Sequence, residues 1–161
     1  MPRQFRLIHD NMKSIGYARN KNIRPNCLGL NYNFQHLAFT TKYRNPAFDN
    51  GKIIEVAREA FYHAAEVHHL TIKELSFGED YAHVHMEVSV PNTITVAYAV
   101  QLLKGYSSYV LFKEIPSLRK NWFWGGELWG KHYSNGSVGP QGEEVVQNYI
   151  TRQDIPGRFV K

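Results

Sequence analysis

The sequence predicts an α+β fold, an antiparallel sheet with helices packed on one face. Three observations carry that prediction. The elements run β-α-β-β-α-β-α. The two central strands are joined by Gly78-Glu79-Asp80, a loop so short that the strands must form an antiparallel hairpin. The strand after that loop, 81–90, alternates with period two. Ala82, Val84, Met86, Val88 and Val90 take one side, and His83, His85, Glu87 and Ser89 take the other.

Each element has its own local reason. The first strand, Tyr32 to Lys42, is rich in aromatic and β-branched residues (Tyr32, Phe34, Phe39, Thr40, Thr41). Asn45-Pro46 breaks it and Asp49-Asn50-Gly51 turns the chain. From Lys52 to His69 the apolar set Ile53, Val56, Ala57, Ala60, Phe61, Ala64 and Val67 recurs at helical spacing. His63, His68 and His69 read there as surface or helix-terminal residues rather than ligands. Leu70 to Phe77 is the second strand, and Pro91-Asn92 stops the third. Thr93 or Thr95 can cap a helix reaching about Lys113. Its core face takes Val96, Val100, Leu103 and Val110 or Leu111, and its other face Lys104, Ser107 and Ser108. The Trp- and Gly-rich stretch 121–138 predicts a strand or two around Leu128 to Tyr133. A last helix, about Glu143 to Gln153, has Glu143 and Glu144 in its first turn and Arg152 in its last, matching the helix dipole.

The totals bound the function classes. A chain of 161 residues fits one domain with a sizeable core. No apolar run nears the roughly 18 residues that cross a bilayer, and no apolar segment marks a signal peptide. Cys27 is the single cysteine, which excludes an internal disulfide and multi-cysteine zinc sites and makes a reducing, cytoplasmic location the expectation. The net charge of +5 resides in residues 1–30, where six basic groups face Asp10 alone. This basic extension precedes the folded domain, 31–161. A basic arm on a neutral body suits a polyanion partner, and it equally suits a solvated tail.

Two constellations carry chemistry. On the polar side of the third strand, His83 and His85 stand side by side, and neutral imidazole is a common metal ligand. Two ligands seldom hold an ion without a third. On the last helix, Tyr149 and Gln153 lie four residues apart and share a face, though such a tyrosine is commonly packing. Gly125 to His132 imitates a phosphate-binding loop, but His132 stands where Ser or Thr must meet magnesium, and Leu128 and Trp129 fill the interior. ATP binding is not expected.

Taken in order, Tyr32 to Arg44, the His83-Val84-His85 strand, 102–108 (LLKGYSS), 126–130 (GELWG) and 144–153 (EVVQNYITRQ) resemble the single-tyrosine HUH transposases, the TnpA type of small IS200-like insertion sequences. The likeness covers about residues 32–153. It implies a ferredoxin- or RRM-like sheet and a homodimer in which the tyrosine helix serves the partner's site. It implies that His83, His85 and Gln153 hold Mg2+ or Mn2+ and that Tyr149 is the nucleophile. The substrate it implies is single-stranded DNA with hairpin ends, cut and rejoined through a 5′-phosphotyrosine. Lys104, Ser107 and Ser108 are then candidates for DNA phosphates, and Tyr106 or Trp129 for stacking, unless the core buries them. The chain departs from the family pattern at Ala82, often Asp in relatives, and at Glu87, which can touch the ion or face water. Two alternatives remain: a domesticated relative that binds or nicks palindromes, and a non-catalytic ferredoxin-like nucleic-acid-binding module with exposed aromatics on its sheet.

Overall fold

A computed structural model describes residues 33–138 together with 148, 150 and 151. The elements are β1 (Asn33–Thr40), a 3-10 turn (Lys42–Arg44), α1 (Gly51–Val67), β2 (Thr71–Phe77), β3 (His83–Val90), α2 (Val96–Glu114), α3 (Pro116–Asn121) and β4 (Ser134–Ser137). The strands form one sheet in the order β2-β3-β1-β4, antiparallel at every junction. Asn148, Ile150 and Thr151 are helical. The basic extension 1–30, Tyr149 and Gln153 lie outside the described residues. Among the described residues no helix is long and apolar enough to cross a membrane.

The caps explain where the helices begin. Asn50 accepts the Lys52 amide at 2.8 Å at the head of α1, and Thr95 accepts the Tyr98 amide at 3.1 Å at the head of α2. Both helices then bury their apolar positions on one face of the sheet. Leu37, Phe39, Val84, Met86 and Val88 meet Ile54, Phe61, Val100, Leu103 and Leu111 in a single core. His63 belongs to this interior rather than to the surface: it is buried on α1, its ring 5.2 Å from that of Tyr106. Burial lowers the pKa of His68 at the end of the helix, and the neighbouring His69 and His63 add to the shift.

The 121–138 region departs from expectation. The strand lies at Ser134–Ser137, beside β1, with Asn135 opposite Leu37. Residues 128–130 instead cross the end of β1. Lys42 donates its amide to the Leu128 carbonyl at 2.8 Å, and Gly130 donates to Thr40 at 2.8 Å. Leu128 and Trp129 turn inward, and Trp129 meets Phe39 edge-on at 4.8 Å. The segment resembling a phosphate loop therefore sends Leu128 and Trp129 into the core, and a strand follows it rather than a helix. The short α3 was also unforeseen. Pro116 at its first turn suits a helix start, and Leu118 anchors it.

Candidate active site

β3 divides its residues between two environments. Val84, Met86 and Val88 are fully buried against the helices, whereas His83 and His85 are half-buried on the other face. Cross-strand pairing decides their company. Thr40 lies opposite His83, Ala38 opposite His85 and His36 opposite Glu87 on β1. From β2, Ser76 faces His85 and Glu74 faces Glu87. Glu87 is 0 % exposed, so the expectation that it might face water is corrected: its neighbours in the sheet enclose it.

The two imidazoles stand 4.9 Å apart between centroids and nearly perpendicular, at 88°. Each is held through Nδ1 by a neighbouring side chain. His83 Nδ1 lies 2.5 Å from Asp80 Oδ1. His85 Nδ1 lies 3.2 Å from His36 Nε2, the two rings stacked at 5.4 Å. Nδ1 contacts of this kind fix a histidine's orientation and leave Nε2 as the ligand atom. Asp80 is itself held, with Oδ1 accepting the Ala82 amide at 3.0 Å and Oδ2 accepting Arg44 at 3.1 Å. Burial works to raise the Asp80 pKa, but the Ala82 amide, Arg44 and His83 outweigh it, so the carboxyl stays ionised. Burial, then the charges of His83 and His36, depress the pKa of His85 to about 4. Burial lowers that of His36 too. His85 is therefore neutral near pH 7, the form that binds a cation.

Gly78 makes the approach possible. A Cβ at that position would stand 1.9 Å from His83 Cε1, closer than atoms can pack. The hairpin connection holds both partners, the Gly78 amide donating to the His83 carbonyl at 2.9 Å.

The donor set suits a divalent ion but is incomplete. Among the described residues no group of three or more His, Cys, Asp or Glu is arranged to hold one. Two oriented imidazoles on a partly open face therefore need a further ligand from elsewhere. The residues expected to complete the site, Tyr149 and Gln153, lie outside the described residues.

The residues expected to touch DNA lie on α2, which packs on the apolar side of the sheet. Ser107 is 0 % exposed. Its hydroxyl accepts Trp129 Nε1 at 2.9 Å and donates to the Lys104 carbonyl at 3.2 Å. Its expected phosphate contact is corrected, because the hydroxyl is bonded inside the fold. Lys104 Nζ donates to the carbonyls of Gly130 and His132 at 2.9 and 3.0 Å, and burial lowers its pKa. Ser108 is partly exposed and lines, with Lys104 and Lys131, a groove of about 610 Å³. Tyr106 and Trp129 are buried, which removes them as stacking platforms.

Sequence reasoning missed His36, Asp80 and Gly78. Asp80 lies three residues before His83, but nothing local says that the turn folds back onto the ring. His36 occupies the polar phase of its strand, and only the register against β3 brings it to His85.

Known proteins resemble the chain in sequence and in fold. The ISDra2 transposase TnpA of Deinococcus radiodurans is 27% identical over 128 residues, covering 78% of this chain and 89% of that protein. The transposase of insertion sequence IS200 from Salmonella typhimurium is 29% identical over 118 residues, covering 73% and 74%. A crystal structure of a transposase candidate from Deinococcus radiodurans superposes with a TM-score of 0.57 at 22% identity, over 82% of this chain and 98% of that one. The REP-associated tyrosine transposase bound to a REP hairpin superposes at 0.53 with 10% identity, over 80% and 70%. At these identities the two superpositions bear on architecture alone. Residues 31–153 match the family described as IS200-like transposases, and with most of its length inside that match the chain belongs to the IS200-like transposase family.

Proposed function

We propose that the protein cleaves and rejoins single-stranded DNA at hairpin-flanked element ends, with Tyr149 as nucleophile and His83, His85 and Gln153 as ligands of Mg2+ or Mn2+. The observation that carries this reading is the orientation of the imidazole pair, each ring tethered through Nδ1 on one face of β3. The REP hairpin on a protein of the same fold supports the hairpin substrate.

The reaction is a transesterification. The Tyr149 phenol oxygen attacks phosphorus, the bond to the 3′-oxygen breaks, and the departing oxygen takes up a proton as the phenol loses one. The products are a 5′-phosphotyrosine and a 3′-hydroxyl. A free phenol has a pKa of about 10 and is little ionised near neutrality. When bound, the cation would draw charge from a non-bridging phosphate oxygen and the leaving oxygen. His83 and His85 would hold that cation, and Asp80 and His36 keep their rings aimed. The linkage energy is conserved in the phosphotyrosine, so a second strand's 3′-hydroxyl can reseal the DNA without ATP. In a homodimer the tyrosine helix of one subunit would serve the partner's histidines, and the basic extension 1–30 would follow the hairpin backbone.

The test is incubation of a single-stranded hairpin substrate with Mg2+ or Mn2+, resolved on a denaturing gel. The wild type gives a covalent protein–DNA adduct, and Tyr149→Phe gives none. Cutting that persists in Tyr149→Phe would assign the chemistry to a tyrosine-independent nuclease. Binding without any adduct would leave a nucleic-acid-binding module.

A further inference from the structure

The largest exposed aromatic surfaces lie together beside the 3-10 turn. Tyr43 is 83 % exposed, Trp122 44 % and Trp124 85 %. With Lys42, Asn45 and Glu127 they line a cavity of about 570 Å³, floored by the buried Phe123. Water-exposed indole and phenol rings of this size are costly to leave uncovered.

The cavity is built rather than incidental. Tyr43 and Arg44 both adopt left-handed backbone conformations, φ 59° and 54°, which side-chain-bearing residues rarely take unless their surroundings force it. Thr41 Oγ1 donates to the Asn45 carbonyl at 2.7 Å, closing the turn. Asn45 Nδ2 donates to the Trp122 carbonyl at 3.1 Å, and a Lys42–Glu127 ion pair joins the two walls. Between the lining residues Gly125 and Glu127, Gly126 takes φ 79°, and a Cβ there would crowd the Arg119 guanidinium at 3.3 Å.

The lining says what fits. It contains no aliphatic side chain, unlike a groove for an apolar peptide. The segments that form it are 42–45 and 121–127; their Lys42 pairs with Glu127 and Arg44 with Asp80, and Arg119 and Lys120 directly precede the second segment with no acid between. Flat aromatic faces with Arg119 and Lys120 just outside the lining match a ligand that is itself flat and attached to negative charge. The cavity is also linked to the histidines, because Arg44 holds the Asp80 carboxylate that orients His83.

We propose that this cavity binds an unpaired nucleobase of single-stranded DNA, with Tyr43 and Trp124 as stacking faces and the surrounding cations meeting its flanking phosphates. The site rests on the single-stranded DNA reading above, and it holds a strand entering or leaving the histidine face.

Binding is measured without metal, in a chelator, so that cleavage plays no part. The probes are a short oligothymidylate and an abasic strand of the same length. Oligothymidylate should quench tryptophan emission and bind more tightly than the abasic strand. Trp124→Ala and Tyr43→Ala should each weaken oligothymidylate binding roughly five- to a hundredfold, with the abasic strand little affected. Trp124→Phe should restore much of the loss. Because both side chains are exposed, circular dichroism should show the variants folded. Equal binding of the two strands, or unchanged affinity in Trp124→Ala while the wild type still forms the tyrosine adduct, overturns this site alone. Absence of both DNA binding and adduct in the wild type overturns the parent reading with it. Loss of self-association in Trp124→Ala at unchanged DNA affinity would give the cavity to a second copy of the chain.

Discussion

The two faces of β3 differ in what they hold and in how they are held. On one, Val84, Met86 and Val88 are packed by helices from both halves of the chain. On the other, His83 and His85 are held by polar contacts to Asp80 and His36 and stay partly open. Neighbouring residues one step apart thus serve different ends. Apolar contacts are many and individually weak, so losing one costs stability. The polar contacts are few and directional, so losing one costs aim.

Substitutions on the two faces should separate these effects. His83→Ala or His85→Ala should reduce adduct formation to background while changing unfolding free energy by only about 0.5 kcal/mol, as at sites without core packing. Met86→Ala or Leu103→Ala should do the reverse, costing about 2–5 kcal/mol in denaturant unfolding. The contrast fails if a histidine variant unfolds as readily as Met86→Ala.

The tethers should give intermediate effects. Asp80→Asn and His36→Phe should each weaken metal affinity about 10- to 100-fold, the usual scale for groups that orient a ligand, as read by calorimetric titration with Mn2+. Gly78→Ala should fall in the same range with an unchanged Asp80, because the added methyl displaces the His83 ring. A Gly78→Ala protein with wild-type affinity would show that the ring has room to spare.

A smaller effect follows from titration. The pKa of His85 is depressed from 6.5 to about 4. Between these values the unfolded chain binds a proton that the folded chain refuses, so stability falls as pH falls through this window and levels off below it. Melting temperatures across the window should show the slope, and His85→Gln should reduce it, the lowered pKa values of His36 and His68 keeping the remainder. On the helix side, Ser107→Ala leaves Trp129 Nε1 without its acceptor and should cost about 1 kcal/mol, with DNA affinity unchanged.

Particular elements show where sequence reading reaches. The β2–β3 hairpin, α1 and α2 were legible because alternation, helical spacing and the Thr95 cap are local signals. β4 was not: Ser134, Asn135, Gly136 and Ser137 carry no strand preference and no buried residue, and they pair only because β1 offers an open edge. Trp129 suggested a strand or a stacking ring, and it became core because Phe39, Phe48 and Phe61 converge on it. The exposed Tyr43 and Trp124 were indistinguishable from buried aromatics in composition alone.

By itself the chain's order of residues determined the α+β class, the division of β3 into an apolar and a histidine side, and the family. The first two follow from backbone periodicity, which acts over a few residues, and the family from a set of short motifs in a fixed order. Tertiary structure alone decided that His36 meets His85, that Asp80 and Gly78 cradle His83, and that Ser107 turns inward. Those contacts depend on strand register and loop path, set by packing between segments distant in the chain, and no local preference encodes them.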